Sequence, residues 1–142
     1  MPYDPMMVAP MRDELVRLGF QELRRPEDVD REMAAPDRLL LVVNSICGCA
    51  AGVARPGVAR SLQHPAAPRR LATVFAGQDV EATARARSYF GGMPPSSPQV
   101  AILEGGNLLF LLQRHEIEGR TAEQVAAALT AAYDRLARKA TA

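Results

Sequence analysis

Cys47 and Cys49 are the two cysteines of the chain and stand one residue apart, and their type and spacing point most directly to chemistry. A structural disulfide gains its stabilisation by closing a long loop, and a bond across one residue constrains almost nothing in the unfolded chain. Four-ligand structural zinc does not fit, because His64 and His115 lie far from the pair and from each other. Neighbouring thiols of this kind are read as doing chemistry. They either exchange disulfides or, in a dimer receiving two thiolates from each chain, hold a metal or an iron–sulfur cluster.

The surrounding sequence favours the first reading. Leu39 to Val43 is an unbroken aliphatic run, the pattern of a strand buried on both faces. Asn44, Ser45 and Ile46 then turn the chain, and Cys47 follows where a helix begins. Unpaired backbone N–H groups and the positive end of the helix dipole stabilise a thiolate there, so the Cys47 pKa is expected to be depressed. Cys49 is near enough to attack a mixed disulfide formed on Cys47, and Gly48 lets the backbone bend between them. The small ring closed by a Cys47–Cys49 bond points to an oxidising couple, suited to exchange or isomerisation. Ser97-Pro98 precedes a later strand, where a cis-proline would face the cysteines and leave the Ser97 backbone open to an incoming peptide or thiol.

The other elements must carry these residues. Met7, Met11, Leu15 and Leu18 recur at helical spacing and Gly19 ends that helix. A short strand is expected over residues 20–23, then a helix opening at Pro26 and closing before Pro36. Residues 50–62 read as a helix kinked at Pro56. Leu71 to Ala76 forms the next strand, and Asp79 caps a helix running to about Phe90. Val100–Leu103 and Leu108–Leu112 flank Glu104-Gly105-Gly106-Asn107 as a hairpin. Thr121 and Gln124 make a capping box for a last helix, whose apolar face is Val125, Leu129, Ala132, Tyr133 and Leu136. This order gives an α/β sandwich around a mixed sheet of four or five strands, with parallel strands joined by helices and a closing antiparallel hairpin.

Composition narrows the partners. The chain has 142 residues, 48% of them hydrophobic, and a net charge of +1, enough for one core and too balanced for a dedicated nucleic-acid binder or a polybasic membrane anchor. Sixteen of its seventeen basic residues are arginine, which reflects composition rather than a phosphate-binding surface. The longest aliphatic runs are far shorter than a membrane span, and the start Met1-Pro2-Tyr3-Asp4-Pro5 is not a secretory leader. A cytoplasmic protein is the default, where an adjacent cysteine pair is more often redox-active or metal-binding than structural. Four residues have plain readings: Met6, Met7 and Met11 as core, and His64 as a complement to a helix dipole. His115 reads as a loop histidine, or with Arg114 and Glu118 as a charged lip that recognises an anionic thiol.

Taken together, these segments resemble the bacilliredoxins, thioredoxin-like proteins of bacteria that use bacillithiol. The resemblance rests on Pro5-Met6-Met7-Val8, Met11 to Leu15, Val43 to Gly52 around Cys-Gly-Cys, and Ala54-Arg55-Pro56. It continues through Val74 to Asp79, Pro94 to Pro98 and the stretch from Arg114 to Gly119. It implies a thioredoxin fold in one domain, with residues 1–19 as an added N-terminal helix and residues 20–139 as the core. It also implies removal of bacillithiol from S-thiolated cytosolic proteins, and weak disulfide isomerase activity. Cys47 would attack and Cys49 resolve. Asn44, Ser45, Gly48, Ser97 and Pro98 would position the substrate, and Arg114 and His115 would recognise an anionic thiol. No cofactor is expected beyond the Cys47–Cys49 disulfide with bacillithiol as co-substrate. The partners implied are thiolated proteins, a low-molecular-weight thiol and a recycling reductase or thiol, for a monomer or weak homodimer without nucleic acid or membrane. General isomerisation, redox sensing and the metal-bridged dimer stay open beside this reading.

Overall fold

A computed structural model describes residues 2–141, with side chains described as far as Lys139. Met1 and Ala142, the ends of the expected domain, lie outside the described residues. The elements are α1 (Pro5–Val16), β1 (Gln21–Glu22), α2 (Pro26–Ala34), β2 (Arg38–Asn44), a π-helical turn (Ala50–Ala54) and α3 (Arg55–Ser61). They continue with β3 (Arg70–Phe75), α4 (Val80–Arg87), β4 (Gln99–Glu104), β5 (Asn107–Leu112), α5 (Arg114–Ile117) and α6 (Ala122–Thr141).

The five strands form one sheet in the order β1-β3-β2-β4-β5. β2 runs parallel to β3 and antiparallel to β4, and β5 pairs antiparallel with β4 through the Glu104–Asn107 hairpin. β2 is the centre of the molecule because its side chains alternate between two apolar layers. Leu40 and Val42 pack with Val58, Leu129 and Tyr133 beneath α3 and α6, whereas Leu39, Leu41 and Val43 pack with Val29, Ala82 and Phe90 beneath α2 and α4. Each of these five aliphatic side chains is at most 1% exposed, and burying one contributes about 1.5–3 kcal/mol.

The sequence places the elements well but misreads some faces. α1 turns inward with Val8, Arg12 and Leu15, while Met6 and Met7 are 84% and 46% exposed and Leu18 also faces out. The reason is Arg12, whose two Nη atoms each lie 2.9 Å from an Asp79 carboxylate oxygen, with Nη1 also 2.9 Å from Glu22 Oε1. An arginine paired on both sides can occupy the buried stripe, which displaces the methionines from it. The same contact occupies the Asp79 carboxylate, so Asp79 stands at the N-cap of α4 without capping through its side chain.

Helical structure begins at Gly48, and Pro56 falls in the first turn of α3. The irregularity lies one turn earlier. There the Arg55 N–H reaches the Ala50 carbonyl in a π-type bond, and Pro56, lacking an N–H, begins a fresh helical segment. Gly57 is a contact residue. A Cβ there would stand 2.8 Å from Val125 Cγ1, so its absence lets α3 and α6 approach. His64 follows the end of α3 and also makes specific side-chain contacts. Its Nδ1 accepts the Ala66 N–H at 3.0 Å and its Nε2 lies 3.0 Å from Asp134 Oδ1. The expected strand at residues 20–23 shrinks to the two residues of β1. The Thr121–Gln124 capping box forms reciprocally, at 2.9 and 3.1 Å. Among the described residues, no helix is long and apolar enough to cross a membrane.

Candidate active site

Strand β2 ends at Asn44, and the turn that follows is held by its own side chains. Ser45 N–H donates to Asn44 Oδ1 at 2.9 Å, and Cys47 N–H donates to Ser45 Oγ at 3.1 Å. The Cys47 carbonyl accepts the Ala50 and Ala51 N–H groups at 3.0 and 3.3 Å. Cys47 therefore stands at the head of the helix, where unpaired donors gather. Both thiols are free and half-buried, and Gly48 between them is exposed. A Cβ on Gly48 would meet nothing within 4 Å, so no close contact in this turn requires a glycine there.

The two sulfurs are electrostatically unequal. Burial pushes the Cys47 thiol up, but hydrogen bonds from the Ala50 amide, the Ser45 hydroxyl and the Cys49 amide and thiol together carry its pKa below the ordinary thiol value. Cys49 is raised, first by burial and then by its hydrogen bond to Cys47 and the neighbouring Cys47 charge. Glu118 adds to that rise and Arg114 opposes it. One thiol is thus prepared to ionise early, while its neighbour is held protonated as a donor to it.

The cis Ser97–Pro98 peptide flanks this turn. The β2–β4 register places Gln99 opposite Val43, so Pro98 and Ser97 lie alongside the residues that lead from β2 to Cys47. The loop before it is anchored from below. Gln113 Oε1 accepts from Ser96 Oγ at 2.6 Å and from Gln99 Nε2 at 2.8 Å, and Gln113 Nε2 donates to the Pro94 carbonyl at 3.0 Å. Arg87 Nη2 donates to the Ser96 carbonyl at 2.7 Å. The Arg114 amide donates to Ser96 Oγ at 3.1 Å, tying α5 to the same loop.

Arg114 is the charged group of this lip. The Cys47 thiolate first, then Glu118 and the Cys49 thiolate, hold its guanidinium above its usual pKa, and its Nε lies 3.4 Å from Glu118 Oε2. His115 is exposed on the short α5. Cys47, Cys49, Asn44, Ser45, Gly48, Ser97, Pro98 and Arg114 thus gather at one end of the sheet, where β2 and β3 terminate. Sequence reasoning missed Arg55, Gln113 and Ser96. The first lies at helical spacing from the apolar Val58, and the second is the polar residue directly after an apolar strand. Among the described residues, no group of three or more His, Cys, Asp or Glu side chains is arranged to hold a metal ion.

This arrangement agrees with what the chain is similar to. Residues 3–137 match the family model described as disulphide isomerase. A bacilliredoxin of Cytophaga hutchinsonii is 50% identical over 134 residues, covering 94% of this chain and 99% of that protein. The chain belongs to the bacilliredoxin family.

A second bacilliredoxin, from Koribacter versatilis, is 51% identical over 133 residues, covering 93% of this chain and 92% of its own. The fold is that of thioredoxin. A Malassezia sympodialis thioredoxin superposes with a TM-score of 0.57 at 12% identity, covering 82% of this chain and 90% of that one. Thioredoxin O2 of Arabidopsis thaliana gives 0.52 at 14% identity, covering 82% and 96%. As a bacilliredoxin with this fold, the protein is a thiol–disulfide oxidoreductase.

Proposed function

We propose that this oxidoreductase removes bacillithiol from S-bacillithiolated proteins, with Cys47 as nucleophile and Cys49 as resolving thiol. The observation that carries the division of labour is the place of Cys47 at the head of the helix, its carbonyl accepting the Ala50 and Ala51 N–H groups and its amide held by the Ser45 hydroxyl, where the surrounding donors favour its thiolate over that of Cys49. The Cys47 thiolate attacks the bacillithiol sulfur of the mixed disulfide. The protein sulfur leaves as a thiolate, takes up a proton, and bacillithiol stays bonded to Cys47. Cys49 then loses its proton and attacks Cys47 Sγ, expelling bacillithiol as a thiolate and leaving the Cys47–Cys49 disulfide. Two equivalents of a low-molecular-weight thiol, which leave joined as their own disulfide, or a reductase supplying two electrons, return the pair to the dithiol.

The choice of bacillithiol is supported by the names of the relatives that share about half of this sequence. Arg114 beside the thiols suits an anionic thiol. The description of the matching family as disulphide isomerase favours a second reading, reshuffling of protein disulfides. Offering the reduced protein one carrier protein capped with bacillithiol, or the same carrier capped with glutathione, separates the two. Faster release of bacillithiol supports the proposal. Equal release of both caps, with faster rearrangement of a scrambled disulfide substrate, supports isomerisation.

A further inference from the structure

The turn that carries Cys47 is gripped from behind by a buried arginine that the exchange chemistry does not use. Arg55 is 3% exposed and spends its guanidinium on two elements at once. Nη1 donates to Asn44 Oδ1 and to the Ser45 carbonyl, both at 3.0 Å. Nε donates to Glu14 Oε2 at 2.8 Å, and Nη2 lies 3.5 Å from Glu14 Oε1. Asn44 completes the cage. Its Oδ1 also accepts the Ser45 N–H, and its Nδ2 donates to the Met11 carbonyl at 3.1 Å. Both backbone groups of Ser45 are therefore fixed, and Ser45 Oγ is the acceptor for the Cys47 amide. The helix added before the thioredoxin core supplies two of the anchor points, Glu14 and Met11.

We propose that Arg55 is a positioning residue for Cys47, clamping the turn after β2 against α1 so that the Ser45 hydroxyl stays beneath the nucleophile. This rests on the reading of Cys47 as the attacking thiol. The planar fork is what the site requires. A lysine in its place keeps the charge but cannot reach Glu14, Asn44 and the Ser45 carbonyl together. The charged groups facing the thiols from other elements are Arg114 and Glu118, and substitution at 55 leaves them in place.

The test is alkylation of Cys47 by iodoacetamide against pH in the full chain, which needs no disulfide substrate and stays informative whichever thiol the enzyme prefers. Arg55→Lys and Arg55→Met are expected to move the Cys47 profile to higher pH. At neutral pH alkylation is expected to slow about tenfold, the scale of losing one hydrogen bond to a charged group. Ser45→Ala is expected to give the same shift, and adding Arg55→Lys to it to give little more, because both act through one hydroxyl. Glu14→Gln, at a half-exposed carboxylate, supplies a folded variant should Arg55→Met fail to fold, with a smaller shift in the same direction. Folded variants at 55 and 14 whose Cys47 profile matches the parent, or shifts at 45 and 55 that simply add, would overturn the proposal.

Discussion

The Cys47 amide donates to the Ser45 hydroxyl oxygen across 3.1 Å, so the residue two positions before Cys47 closes the turn beneath it. The same hydroxyl helps lower the Cys47 pKa, and one side chain thereby serves the shape of the turn and the ionisation of the thiol.

The pH dependence of the two thiols follows in opposite senses. With its pKa lowered, Cys47 stays a thiolate below the ordinary cysteine range, so its alkylation holds as pH falls and drops only at that lower midpoint. Cys49, with its pKa raised, reacts only at higher pH. Their effects on the reduced protein's stability oppose each other. The Cys47 contribution is present above the ordinary thiol pKa and lost as pH falls through its own, whereas the Cys49 contribution is present below that value and lost as pH rises through its raised one. Rate is therefore the clean readout. Alkylation across pH, with the site assigned by peptide fragmentation, should find Cys47 modified first. Modification of Cys49 at the lower pH would contradict the assignment.

Arg114 should matter more for charged substrates than for neutral ones. Arg114→Gln is expected to lower kcat/KM on an anionic mixed disulfide roughly threefold to tenfold, in keeping with a half-exposed charge, and to change a neutral disulfide far less. Raising the salt concentration should shrink the difference. Equal losses on both substrates would remove Arg114 from recognition.

Much of this layout is legible in the sequence. The run from Leu39 to Val43 marks the central strand because only a strand covered on both faces can bury five aliphatic side chains in succession. The cysteines after its turn mark the head of a helix for the same topological reason. Arg12 and Arg55 escaped notice because an arginine is read as surface until its partner is known. Their partners lie far along the chain, at Asp79 for the first and Glu14 for the second. Misreading Arg12 also misassigned Met6 and Met7, since a helix has room for only one inward stripe. A charged residue spaced with apolar ones, as Arg12 is with Val8 and Leu15, is the signal that could have revealed it.

The Arg12–Asp79 pair leads to a stability prediction. Both side chains are about nine-tenths buried. Asp79→Ala leaves Arg12 with Glu22 alone and should cost about 2–4 kcal/mol, somewhat under the loss of a fully isolated buried pair. The double replacement Arg12→Met with Asp79→Leu should cost less than Asp79→Ala, because no buried charge is then left unpaired. Urea unfolding of the three proteins measures both. A single variant as stable as the parent would show that the pair is not what turns α1 inward.

The central claim is the division of labour between Cys47 and Cys49, and intact mass of the two serine variants tests it most directly. Each is mixed with a bacillithiolated protein and the products are weighed. Cys47→Ser should leave the bacillithiol on its carrier. Cys49→Ser should release the carrier thiol and retain the bacillithiol on Cys47, one adduct for each carrier freed. Removal at full rate by Cys47→Ser, or release by Cys49→Ser without any retained adduct, would contradict the account.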